Sequence, residues 1–252
     1  MISETVLFLF GAGVVAGAIN AIAGGGTFFS FPVLIWAGLP PLVANTTNMV
    51  ALMPANGAAL PALRRQLFAL GRRIVAPTVS GLLGGTCGAL LLFALGADVF
   101  ANAVPYLIGF ATLLFAFAPT LRRRLVQARL VDQLSPRFTV LIVFVFAIYG
   151  GYFGAGIGQI MLAALILAGF EDLAEANALK NLVVLTISAM AVVIFALSGT
   201  VHWHYALVMM ISSSIGGYFG GWLSVVAPQR VLRAGIIAFG CFLTAYYFVI
   251  GT

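Results

Sequence analysis

The sequence predicts an all-α membrane protein, a polytopic helical bundle of about eight to ten apolar segments arranged as two tandem repeats, one inverted against the other. Three observations lead there. The 252 residues are 63% hydrophobic and 7% charged, whereas a soluble domain is roughly half apolar and a quarter charged. Apolar stretches long enough to cross roughly 30 Å of hydrocarbon, at about 1.5 Å per helical residue, recur with little polar sequence between them. The chain also matches itself at a shift of 132 residues, the separation of Gly24 from Gly156.

Lipid offers no partner to open backbone groups, so the apolar runs are expected to be helices. A spanning β-barrel needs alternating polar and apolar residues, and Leu82 to Leu95 and Leu182 to Leu197 are apolar on every side. The first run follows Met1 to Glu4, which carries an acid and no basic residue, so it is expected to be a retained helix rather than a cleaved signal. Cys87 and Cys241 lie in apolar runs and read as small hydrophobic filler. The net charge of +6 comes from arginines gathered in a few loops. That pattern orients a membrane protein, and nucleic acid is not an expected partner.

The self-match pairs Ala23-Gly24-Gly25-Gly26 with Ala155-Gly156-Ile157-Gly158, then Ala44-Asn45 with Ala176-Asn177, Gly84-Gly85 with Gly216-Gly217, and Thr112 with Thr244, all without a gap. The chain therefore divides into a first repeat, 1–118, a basic cytoplasmic linker, 119–137, and a second repeat, 138–252. In the first repeat the apolar runs cover roughly 5–22, 27–39, 44–63, 74–95 and 102–118; in the second, roughly 138–153, 158–169, 175–198, 203–225 and 230–250. The linker holds Arg122, Arg123, Arg124, Arg129 and Arg137 and is placed inside. If all five runs of each repeat cross, Arg64, Arg65, Arg72, Arg73, Arg230 and Arg233 also fall inside, and both termini fall outside. If the short second run re-enters instead, the repeats are parallel and Arg230 and Arg233 land outside. Arginine placement favours the inverted arrangement.

Each repeat breaks its first helix at glycine, and the run that follows is too short to span. Discontinuous helices are tolerated at membrane depth where their open backbone faces protein or a water-filled cavity, and paired breaks mark substrate sites in transporters. The breaks supply Gly24, Gly25, Gly26 and Thr27 in one repeat and Gly156, Gly158 and Gln159 in the other. A helix restarting there offers free N–H groups and a partial positive charge, which suits an anion; the bland alternative is close helix packing. The third run of each repeat opens on polar residues: Asn45, Thr47 and Asn48, then Asn177, Lys180 and Asn181. Asn45, Asn48 and Leu52 share one helical face. Lys180, the only lysine, aligns with Asn48. A cation at that depth costs about 2.5–3.5 kcal/mol unless it snorkels or meets an anion, and both readings stay open.

Glu171, Asp172 and Glu175 precede that helix and either cap it, pair with Lys180 or relay protons. His202 and His204 flank Trp203 at a run boundary, where interfacial anchoring competes with a proton-relay role. The proton-coupling candidates are thus Glu175, His202 and His204. No metal-ligand cluster, nucleophile elbow or P-loop is present in the sequence, so no metal, cofactor or ATP hydrolysis is expected. A passive anion channel and, in another class, an intramembrane enzyme are the alternatives to a carrier.

The run from Ala23 to Pro32, with its glycine break and proline-ended short helix, and the run from Gly150 to Gly158 resemble the sulfite exporter TauE/SafE family of bacterial membrane proteins over essentially the whole chain. Where the second half of that family often has Thr-Lys, this chain has Leu179-Lys180. The resemblance implies a multi-pass transporter of the bacterial inner membrane that exports sulfite, organosulfonates such as sulfoacetate or related anions. The expected partners are a small anion and the lipid bilayer.

Overall fold

A computed structural model describes residues 2–58, 60–61, 63–127, 136–170, 172–223 and 229–250. Glu171 and the centre of the basic linker, Arg129 included, lie outside the described residues. The chain is an all-α bundle of apolar helices. In order these are α1 (Ile2–Ala23), α2 (Gly26–Trp36), α3 (Pro41–Gly57), α4 (Arg64–Leu70), α5 (Val75–Gln127), α6 (Pro136–Tyr152), α7 (Ile157–Leu167), α8 (Leu173–Leu197), α9 (Trp203–Leu223) and α10 (Gln229–Ile250).

Both glycine breaks are real interruptions. Gly24 adopts φ +69° between α1 and α2, and Gly154 (φ +76°) and Gly156 (φ +69°) do so between α6 and α7; only glycine takes this backbone without strain. Each restarted helix has 11 residues, about 16 Å of rise, roughly half the hydrocarbon core. Pro40 and Pro41 set the start of α3, where a missing N–H costs nothing. The runs at 74–95 and 102–118 are the two helical arms of α5, separated at Gly96, whose backbone (φ 82°, ψ 171°) is not helical. One boundary differs from the expectation: α5 continues to Gln127 and α6 begins at Pro136, so helix enters the expected linker from both sides. Among the described residues three helices are long and apolar enough to cross a membrane, within Glu4–Ala21, Arg64–Phe117 and Leu173–Leu197, and four shorter apolar helices accompany them.

The most extensive packing is of α1 on α9 and of the first arm of α5 on α6. Glycines permit it. Gly216 and Gly220 press on the α1 main chain at Val14 and Ala18, and Gly84 and Gly88 press on the α6 main chain at Phe144 and Ile148. Without a hydrophobic drive between helices in lipid, such close backbone approach is a principal source of association. Helices α3 and α8 meet at the centre, α3 also packing on α9 and α8 on α5. Against the breaks lies an aromatic layer in which Phe31 meets Phe153 at 5.4 Å and Phe28 meets Phe115 at 5.9 Å between ring centroids, the edge-to-face arrangement aromatic rings favour.

Candidate functional site

The two breaks touch. A Cβ on Gly158 would stand 3.3 Å from Gly24 Cα, so the α1–α2 and α6–α7 breaks meet backbone to backbone. A small cavity of about 40 Å³ opens beside this contact, more than the ~10–15 Å³ that a single water needs. Gly24 and Thr27 line it from the first break and Ile157 and Gly158 from the second. Neither α2 nor α7 has a side-chain cap at its N-terminus.

α3 and α8 form the facing walls. Asn48 is fully buried and accepts from Ser30 Oγ through Oδ1, with Gly26 O the alternative acceptor for that hydroxyl at 3.1 Å. Its Nδ2 is left with no partner among the described residues, and a buried donor without a partner is costly until something accepts from it. From α8, Lys180 reaches the same cavity with Nζ held 2.9 Å from Asn177 Oδ1. Asn181 stands beside it, its Nδ2 donating to Asn177 O at 2.8 Å. No carboxylate is among the lining residues. The site thus concentrates one cation and unspent N–H donors in a pocket walled by Met49, Leu52 and Val184, which favours a small anion over a cation.

Six of the residues singled out in the sequence line the cavity: Gly24, Thr27, Asn48, Gly158, Lys180 and Asn181. The remainder do not. Gly25 faces Ile236 and Phe115, Gly26 packs on Ala16 and Asn20, and Gly156 caps α7 beside Phe28. Gln159 sits in the first turn of α7, outside the lining. Asn45 donates to Tyr152 O at 2.9 Å and Thr47 accepts from His202 N at 2.9 Å, so both tie α3 to the second half of the chain. Asn177 acts through Lys180.

The proton-coupling candidates also lie off the cavity. Glu175 is in the first turn of α8, where Asp172 caps the helix by accepting from Ala174 N and Glu175 N. His202 packs at a tilt against Tyr205, with 4.1 Å between ring centroids, and His204 is exposed beside exposed Trp203. Among the described residues no group of three His, Cys, Asp or Glu could hold a metal ion. Asn20, Asn56 and Ser188 line the cavity as well. A signal for two of them exists: Asn56 extends the Asn45, Asn48, Leu52 face by one turn, and Ser188 is its counterpart at the 132-residue shift.

A carboxylate-free cavity between two broken helices of an apolar bundle is the arrangement in which secondary transporters build their substrate sites. The chain belongs to the sulfite exporter TauE/SafE family, whose sequence profile matches residues 9–247. It is 32% identical over 244 residues to a probable membrane transporter protein of Haemophilus influenzae, covering 96% of this chain and 94% of that one. It is 29% identical over 248 residues to the probable membrane transporter protein YfcA of Escherichia coli, covering 97% and 90%. A probable membrane transporter protein, ORF9, of a Sinorhizobium species is 29% identical over 228 residues, covering 90% and 85%. No solved structure matches the chain. The protein is therefore a multi-pass membrane transporter, of a family whose members carry solutes rather than catalyse reactions.

Proposed function

We propose that the protein is a proton-coupled secondary transporter that exports small sulfur-containing anions, sulfite and organosulfonates such as sulfoacetate, across the bacterial inner membrane. The observation that carries the anion is Lys180 in a carboxylate-free cavity that also holds the unpartnered Asn48 Nδ2. The choice of sulfur among anions comes from the family. In proteoliposomes with an imposed pH gradient, sulfite should accumulate above protein-free controls and an uncoupler should abolish the accumulation. Flux that ignores the uncoupler would identify a passive anion channel, and absence of flux would exclude sulfite as substrate.

The inverted duplication completes this reading. Its support is that the 132-residue shift relates cavity residues in pairs, Asn48 with Lys180, Leu52 with Val184 and Asn56 with Ser188, and relates the α1–α9 crossing to the α6–α5 crossing. An inverted pair with five crossings each puts both termini outside. In a Cys87→Ser, Cys241→Ser background, which removes two exposed thiols, single cysteines at each terminus should react with a membrane-impermeant maleimide on intact spheroplasts. A terminus that reacts only after permeabilisation rules the arrangement out.

A further inference from the structure

Asn20 on α1 and Asn56 on α3 meet at the cavity wall, Asn20 Nδ2 donating to Asn56 Oδ1 at 2.9 Å. Neither side chain makes a second hydrogen bond among the described residues. Each amide has one carbonyl acceptor and one NH2 group. The contact uses one of these on each side, so the pair keeps a carbonyl oxygen on Asn20 and an NH2 on Asn56 for the occupant of the cavity. Turning both amides over exchanges the owners and leaves the same inventory. Asn181 adds a second amide oxygen, because its Nδ2 is committed to Asn177 O.

Both asparagines of the pair are half-buried, so water satisfies them until a substrate displaces it. Displacing ordered water with a group that cannot repeat its hydrogen bonds loses affinity. A fully deprotonated inorganic oxyanion offers acceptors only; it suits Lys180 and Asn48 but sets its lone pairs against those of the amide oxygens. A molecule that is an anion at one group and a donor at another satisfies the whole lining.

The geometry points to a substrate that is a small organic monoanion bearing its own hydroxyl or amino group, with the charged group on Lys180 and the donor on the Asn20–Asn56 pair. Met49, Leu52 and Val184 supply apolar wall for a short aliphatic link. This rests on the anion-site reading and narrows it: the amide pair is the specificity element, and Lys180 is the affinity element.

Calorimetric titration of the purified wild-type transporter with 2-hydroxyethanesulfonate and ethanesulfonate, which differ by one hydroxyl, tests it without any variant. The hydroxylated member should bind about tenfold more tightly or better, the scale of one net hydrogen bond to the amide pair. Asn20→Ala and Asn56→Ala should bring the ratio close to one, whereas Lys180→Met should weaken both ligands and leave the ratio unchanged. Equal wild-type affinities that still depend on Lys180 overturn the amide-pair inference and leave the anion site standing. Binding of sulfite but of neither organic anion does the same. Failure of all three to bind overturns the anion reading and this inference with it.

Discussion

Lys180→Met is expected to weaken binding of the transported anion about 30-fold while leaving thermal unfolding of the purified protein unchanged or slightly later. A hydrogen bond to a charged group contributes about 1.5–3 kcal/mol, and ~2 kcal/mol corresponds to that factor. The protein has no other lysine, and no second cation lines the cavity, so nothing replaces the lost charge. Stability should not suffer, because the ammonium has only the Asn177 amide as a hydrogen-bond partner among the described residues and charge at membrane depth is costly. Methionine keeps the length of the stem and packs flexibly. Lys180→Arg, which preserves charge, should retain part of the affinity despite its different shape. Wild-type affinity in Lys180→Met, measured by calorimetry on the same preparation, would show that the ammonium serves the interface and not the substrate.

How far the site could be read in advance follows from what leaves a mark on one strand of sequence. Glycines closely spaced in an apolar run signal an interrupted helix, and Gly24 and Gly156 do adopt the left-handed backbone at the breaks. A lone lysine in an apolar helix is equally conspicuous, and Lys180 does reach the cavity. The polar stretch from Asn45 to Asn48 misleads because successive helical residues point about 100° apart. Asn48 faces the cavity, while Asn45, Thr46 and Thr47 bind Tyr152 O, Thr200 O and His202 N on the far half of the chain. Four buried polar neighbours thus divide between substrate site and interhelical bonding, a division only the tertiary partners decide. Asn20 is harder still. It is a single amide at the end of α1 whose meaning comes from Asn56, 36 residues later, and no local spacing announces that meeting.

Alanine at Gly216 is expected to destabilise the folded protein by at least about 2 kcal/mol, within the usual cost of overpacking. Its Cβ would fall on the carbonyl of Val14, with the carbonyl carbon and Cα behind it, and main chain cannot step aside as a side chain can. Helices α1 and α9 would have to separate, and they form the largest helix pair in the bundle. Gly84→Ala should cost a similar amount, since its Cβ would stand 2.5 Å from Phe144 O where α5 crosses α6 and the two crossings correspond at the 132-residue shift. Gly11→Ala is the control: a Cβ there meets nothing within 4 Å, and replacing a helical glycine with alanine in open space gains up to about 1 kcal/mol. Denaturation of the three variants in one detergent should place Gly11→Ala at or above wild type, with the other two well below. The effect should also reach the cavity, because α1 carries Asn20 and leads directly into Gly24. In the surviving folded fraction anion binding should therefore weaken with Gly216→Ala even though Gly216 is not among the lining residues. Unfolding of Gly216→Ala at the wild-type midpoint would mean that the close α1–α9 approach does not hold the bundle together.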